Sequence, residues 1–337
     1  VNDGLIEKRD GGIEGKVIDC EGMCLAPGIV DIGVKICEPG EKHKESFRSA
    51  SNAAAAGGVT SLVTRPDTKP SIDTPELLEF FKNRGKEVSE VRIFPTASLT
   101  KKNNGKKMTE IGFLHDGGAV GFTDGFNSIA DTKIFHQILR YASDFNTLII
   151  GHPQDHFLTK DTSATNGVFA SIKGISSGPD TAEKIGMERD TALVSNLNIR
   201  YHADQITTKI GLDVLRKAKA TNKQLTAGTS IHHILFNELD IGNYRTFFKL
   251  KPPLRSNSDR EALTEAIREG LIDNICSMHT PQDEESKRLP FEEAAPGAVG
   301  LETILTASLS LYHNKVLSLN ELFRLLALNP ANIIKKN

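Results

Sequence analysis

Short apolar runs rich in β-branched residues recur along the chain with helix-compatible segments between them, and this alternation constrains the fold more than any other feature. Eight such runs fall at residues 29–36, 60–64, 91–96, 119–122, 147–151, 199–203, 225–228 and 274–277. Between the first two, 46–56 is Ala-rich and runs into Gly57-Gly58, which supplies the left-handed residue that ends a helix. Thr74-Pro75-Glu76 opens the next helix with a capping hydroxyl and a proline where a missing N–H costs nothing. Further helices are predicted over 131–145, 208–221, 259–269, 301–312 and 318–328. No Gly-x-Gly-x-x-Gly turn follows the first run, so a closed (β/α)8 TIM barrel over 29–337 is expected rather than an open dinucleotide-binding sheet. Such barrels reach this length as one folding unit. Residues 1–28 do not fit the alternation; 16–19 and 23–26 read as short strands of a small β appendage, and 160–179 and 281–296 as loops.

Charge excludes some partners. Lys and Arg total 41 against 43 Asp and Glu, so no global field draws the chain to nucleic acid or anionic lipid. The basic group Lys101, Lys102, Lys106 and Lys107 reads as a solvated loop. Cys20, Cys24, Cys37 and Cys276 lack the paired spacing of a zinc site and read as reduced thiols. No apolar run approaches a membrane span and no signal-peptide core opens the sequence, so a cytoplasmic protein is expected.

In a (β/α)8 barrel the reacting groups project from the C-terminal ends of the strands. There the segment LAPGIVDIGVKICEPG, from Leu25 to Gly40, resembles the dihydroorotase signature APG-[LIF]-[IV]-D-x-H-V-H-L-R-E-P-G. The resemblance continues in family order through AAAAGGVT (53–60), RPDT (65–68), KPPLR (251–255), DREAL (259–263), GLET (300–303) and NPA (329–331). It implies an amidohydrolase-type barrel with part of a terminal β-sandwich. It also implies a site in which active members hold two divalent metals that generate hydroxide against a cyclic amide.

Carried over position by position, that site is taken apart. The H-x-H pair falls on Gly33 and Lys35, one without a side chain and the other a cation. The bridging position falls on Gly125, or with a one-residue shift on Asp124. The strand-five histidine survives as His152; the strand-six histidine becomes Gln205, and the aspartate that ligates and shuttles protons becomes Met278. A thioether moves no proton at any pH. Among substrate positions the signature arginine falls on Cys37, an asparagine on Asp67, a second asparagine on Lys251 and a histidine on Gln282, which removes the clamp for a substrate carboxylate. Gly, Gln and Met also spare the fold a cluster of carboxylates left unpaired without metal. Lys35 is expected to pair with Asp124 or Asp155 near the former metal position.

Zinc is therefore not expected; a single weak metal at His152 is the remaining possibility. His202, the adjacent His232-His233 and His279 are expected to be structural, with His279 pointing away from the face used by Met278. His43 reads as an exposed loop residue, and Asp124 and Asp155 as acids that pack loops. No Ser/His/Asp or Cys/His arrangement offers another nucleophile. Three functions follow: an inactive homologue partnering the aspartate carbamoyltransferase catalytic subunit, as the resemblance to such homologues implies; a metal-poor cyclic amidohydrolase of the dihydroorotase, hydantoinase or allantoinase kind; or a small-molecule sensor. A homodimer is the default assembly.

Overall fold

The computed structural model describes residues 19–336. Among the described residues nine strands are formed: β1 (Ile29–Val34), β2 (Val59–Thr64), β3 (Arg92–Pro95), β4 (Leu148–Gly151), β5 (Ala164–Thr165), β6 (Ser177–Gly178), β7 (Arg200–Ala203), β8 (Leu225–Ser230) and β9 (Asn274–Cys276). Every paired strand is parallel to its neighbour. The barrel order is β1-β2-β3, then Phe122, then β4-β7-β8-β9. Phe122 stands in for the fourth barrel strand, bridging Ala97 on one side and Ile149 on the other. Its run, predicted over 119–122, is cut short because Gly121 and the Thr123-Asp124-Gly125 turn flank it. The seam between β1 and β9 is closed by Lys35 N–H donating to His279 O at 2.9 Å and by Ser277 N–H donating to the Asp31 carboxylate at 2.8 Å.

Of the helices between the strands, those expected at 46–56, from Thr74 and over 131–145, 208–221 and 259–269 form nearly where expected as the first, second, fourth, seventh and ninth, and the other four are unexpected. In chain order these helices are α1 (Phe47–Ala56), α2 (Pro75–Val88), α3 (Ile111–Asp116), α4 (Thr132–Ser143), α5 (Val168–Lys173), α6 (Thr181–Val194), α7 (Lys209–Thr221), α8 (Ile231–Leu235) and α9 (Asn257–Arg268). Side chains of Ser46, Thr74, Asp131 and Thr208 accept backbone N–H groups at the starts of α1, α2, α4 and α7, the local chemistry that fixes where those helices begin. Gly57 lets α1 dock closely: a Cβ there would sit 1.9 Å from Leu301 O.

One large apolar cluster, including Phe47, Leu62, Phe81, Ile111, Phe122 and Ile149, fills the layer between strands and helices. A smaller one, Val30, Ile32, Val63, Leu148 and Ile150 with Ile333 and Ile334, fills the lower lumen. The lumen is thus a packed core, and a pocket of about 510 Å³ opens above it at the strand C-termini.

Three expectations change. Residues 23–26 form no strand; they are unpaired, with Met23 and Leu25 exposed, while 16–18 lie outside the described residues. The 160–179 segment is not merely loop, since β5 and β6 pair and frame α5. Helix α6 went unrecognised because its buried face carries Glu183 and Asp190, which break the apolar period. Among the described residues no helix is long and apolar enough to cross a membrane.

Candidate functional site

At the mouth of the barrel the centre is a cation-carboxylate trio. Arg65 follows β2 directly, and its guanidinium grips Asp67 in two-pronged fashion, Nε to Oδ1 at 3.1 Å and Nη2 to Oδ2 at 3.0 Å. Lys35 follows β1 and brings Nζ to within 3.1 Å of the same Oδ2. Burial by itself would raise the Asp67 pKa; Arg65 and Lys35 overcome it and hold the carboxyl well below the usual range. The Arg65 guanidinium also lies over the Phe126 ring, 4.0 Å from its centre, and Phe126 packs edge-on against His152 at 5.5 Å.

The other altered positions converge on this trio. Gly33 has φ +94°, and a Cβ built on it would stand 2.7 Å from the Met278 sulfur, so the thioether occupies the space an imidazole at position 33 needs. Gly125, at φ +62°, brings its Cα side to the Asp67 carboxyl; a Cβ there would be 3.4 Å from Cγ. Gln205 and Met278 both have positive φ, are buried, and share with Phe126 and Lys251 a void of about 10 Å³, room for roughly one water. Gln205 Nε2 has no partner.

His152 is buried, with Nδ1 unpartnered. Burial, then the charges of Lys251, Arg65 and Arg255, drive its pKa well below the ordinary value, so the imidazole is neutral. Cys37 is buried near Lys35 and Asp67, and burial pushes its thiol up to about 11, too high for a nucleophile near neutrality. Gln282 lies to one side, donating from Nε2 to Pro296 O at 3.0 Å.

Lys35 pairs with neither acid expected of it. Asp124 is taken by Thr100, whose N–H donates to Oδ1 at 2.9 Å and whose hydroxyl donates to Oδ2. That bond anchors the Lys101–Lys107 loop, and burial raises the Asp124 pKa to about 6. Asp155 caps a turn, accepting from Phe157 and Leu158 N–H groups at 3.0 and 2.9 Å. Asp67 is the partner because the strand-two position, asparagine in the signature, has become the one acid within reach.

The remaining histidines hold structure. His279 Nε2 donates to Glu45 Oε2 at 2.8 Å while Nδ1 accepts from Gly300 N–H at 3.2 Å, which turns it out of the centre. His202 meets Thr226 Oγ1 at 2.9 Å, and His233 spans Ser230 at 2.8 Å and Pro252 O at 3.2 Å. His232 is half-buried, and loss of solvent lowers its pKa to about 4. His43 is exposed, 3.6 Å from Asp283. Cys20 and Cys24 are free and exposed, Cys37 and Cys276 free and buried.

Sequence reasoning missed two groups. Arg65 lay in a quoted motif without a role. Glu183, fully buried on α6, accepts from the N–H and hydroxyl of both Thr207 and Thr208 and from Gln154 Nε2 at 2.6–2.9 Å, with Arg255 Nη2 at 3.6 Å. It thereby ties α6 to the turn that presents Gln205.

A divalent metal pair needs several lone-pair donors, most of them anionic or imidazole, facing one point. Here the converging groups are an ammonium, a guanidinium, a thioether, an amide, one neutral imidazole and a carboxylate already shared by two cations. Among the described residues no three His, Cys, Asp or Glu side chains are grouped so as to hold a metal. The donor set does not fit.

Parallel strands closed around a packed lumen, with polar residues gathered over their C-terminal ends, define a TIM barrel. The dihydro-orotase-like family model matches residues 22–211. A dihydroorotase of Ehrlichia canis is 37% identical over 321 residues, covering 95% of this chain and 71% of that protein. A dihydroorotase-like protein of Pseudomonas aeruginosa is 33% identical over 320 residues, 95% of this chain and 76% of its own. The solved L-hydantoinase of Arthrobacter aurescens shares the fold with a TM-score of 0.81 at 23% identity, over 92% of this chain and 71% of that one. The chain belongs to the dihydroorotase-like family.

Proposed function

We propose that this chain is a dihydroorotase-family barrel of pyrimidine biosynthesis that does not carry out two-metal hydrolysis and serves as a structural partner of the aspartate carbamoyltransferase catalytic subunit. The observation that carries the first half is the Lys35–Asp67–Arg65 trio, with Lys35 Nζ 3.1 Å from Asp67 at the position of a family metal ligand. An ammonium there repels a divalent ion, and the carboxylate that remains is neutralised twice over. Without a metal, water near pH 7 stays protonated and attacks an amide poorly. Met278 offers no substitute base. The partner half rests on the resemblance to inactive family members that assemble with the carbamoyltransferase.

Metal content of protein purified without chelators, measured alongside carbamoyl-aspartate cyclisation, tests the first half. Substoichiometric zinc and no turnover are expected; near-stoichiometric zinc with turnover overturns it. Co-elution with the carbamoyltransferase catalytic subunit at a fixed ratio tests the second. One observation favours a different reading, a metal-poor cyclic amidohydrolase: relatives at 33–38% identity are named dihydroorotases. Metal-independent turnover of dihydroorotate or a hydantoin would establish it.

A further inference from the structure

We infer that two copies of this chain pair face to face through an apolar surface raised by α5 and the 238–248 segment. Six large side chains, Val168, Ile172, Leu239, Tyr244, Phe247 and Leu289, stand 44–77% exposed there. Contacts between their segments make this one surface. A Cβ on Gly167 would lie 3.9 Å from Glu238 Oε2, and the Tyr244 hydroxyl donates to Lys173 O at 2.7 Å. The Thr246 hydroxyl donates to Lys287 O, two residues before Leu289. Beneath them Ala170, Ile175, Ile241, Leu250 and Phe291 form an apolar core of their own, so the exposed side chains project from a packed base. None of the six lines the pocket at the barrel mouth. Elsewhere exposed apolar side chains stand one to a helix, as Phe80 on α2, Phe113 on α3 and Ile185 on α6 do, which is ordinary for a protein surface.

Charge and area name the occupant. Val168 and Ile172 lie one turn apart on the outer side of α5, with an acid at its start and a base at its end. The acid is Glu238, beside Gly167; part burial and the neighbouring Asp259 raise its pKa, and no cation among the described residues offsets them. The base is Lys173, which likewise meets no carboxylate. Its ammonium donates to Asn243 Oδ1 at 3.1 Å and lies 5.5 Å from the centre of the Tyr244 ring. A helix of this length spans about 9 Å. A second α5 laid antiparallel across a two-fold axis therefore sets each Lys173 against the partner's Glu238 while Val168 and Ile172 meet their copies. A partner of one charge sign would satisfy one end of α5 and repel the other. Six side chains this exposed leave on the order of 600 Å² of largely apolar surface, most of the roughly 800 Å² that each partner gives to a stable interface.

The pairing needs neither a metal nor the carbamoyltransferase, so its test is separable from both halves of the functional reading. The full chain alone is followed by sedimentation velocity from about 1 to about 100 µM, and a reversible dimer with a micromolar or tighter Kd is expected. Ile172→Asp and Phe247→Asp, which place a charge in the middle of the contact, should each weaken it at least about thirtyfold. Phe113→Asp, at a similarly exposed residue on α3, should leave it unchanged. Lys173→Glu and Glu238→Lys should each weaken the dimer about tenfold, and the double variant should return it to within about threefold of the parent, which a merely structural role of either residue would not produce. The inference is overturned by a chain that is monomeric at about 100 µM. It is also overturned by a dimer that keeps its Kd in Ile172→Asp and Phe247→Asp, both folded by circular dichroism, or by a charge swap that restores nothing. A chain that stays monomeric until the carbamoyltransferase catalytic subunit is added, and then binds it in a manner lost with Phe247→Asp, assigns the face to that subunit and overturns self-pairing.

Discussion

Replacing Asp67 by alanine strands two cations that now share one carboxylate. The Lys35 and Arg65 contacts at 3.1 and 3.0 Å are each worth roughly 5 kcal/mol of gross attraction at an effective dielectric constant near 20. Desolvation and the repulsion of Lys35 by Arg65 cancel much of that in the native trio. Removing the shared acid takes the attraction away and keeps both penalties, so Asp67→Ala should cost about 3–5 kcal/mol. Lys35→Met leaves Asp67 clasped by Arg65 and should cost only about 1–2 kcal/mol, and the double variant should fall short of the sum by about 1 kcal/mol or more. The assay is urea unfolding followed by circular dichroism near pH 7, with slopes compared to confirm that stability alone has moved. Acid titration adds an independent reading. Asp67 is more acidic folded than unfolded, so its contribution is complete above the ordinary carboxylate value near 4 and is lost as pH falls through the lower folded value. Asp67→Ala should erase that part of the acid limb. A loss under about 1 kcal/mol, or strict additivity with Lys35→Met, would refute the argument that the three side chains form one coupled charge centre.

Asp204 behaves oppositely: burial raises it to about 7 against the pull of Arg65, so the folded chain holds an extra proton between about pH 4 and 7 and loses stability as pH rises through that window. Asp204→Asn should flatten the slope by up to about 1.4 kcal/mol per pH unit in chemical denaturation, and an unchanged slope would show that the carboxyl is not protonated. Glu183→Ala strips six contacts from a fully buried acid and should cost about 3–5 kcal/mol, with Glu183→Gln costing less; equal losses would mean that the charge facing Arg255 is irrelevant. Gly33→His, forced to φ +94° and against Met278, should cost about 2–5 kcal/mol, part of it recovered by Met278→Ala. Lys35→His alone should bring no stoichiometric zinc by elemental analysis, because the neighbouring positions still offer Gly33, Gln205 and Met278.

The barrel was readable because its signals are local. Helix caps at Ser46, Thr74, Asp131 and Thr208 and β-branched runs between them need no knowledge of distant residues. The same locality explains the failures. Phe122 earns its place in the sheet through Ala97 and Ile149, far away in sequence. Helix α6 hides its buried face behind Glu183, whose partners Thr207 and Thr208 lie two elements on.

The site shows the same division, and there it bears on mechanism. Which positions had lost their ligands was legible one residue at a time, since an H-x-H reading G-x-K is a statement about two letters. What the replacements do together was not, because Lys35 finds its counterion only where β1 and β2 end side by side. Asp124 and Asp155 looked equally available, yet each is spent on its own loop, and only the folded chain leaves Asp67 over, clasped by Arg65. The altered residues are thus complementary rather than merely missing. Met278 fills the space beside Gly33, and Lys35 lies where a ligand would stand. A charge centre satisfied in this way has no unpaired carboxylate to offer a divalent ion. Buried polar atoms without partners remain at Gln205 Nε2 beside the trio and at His152 Nδ1 and Gln154 Oε1 a few side chains away.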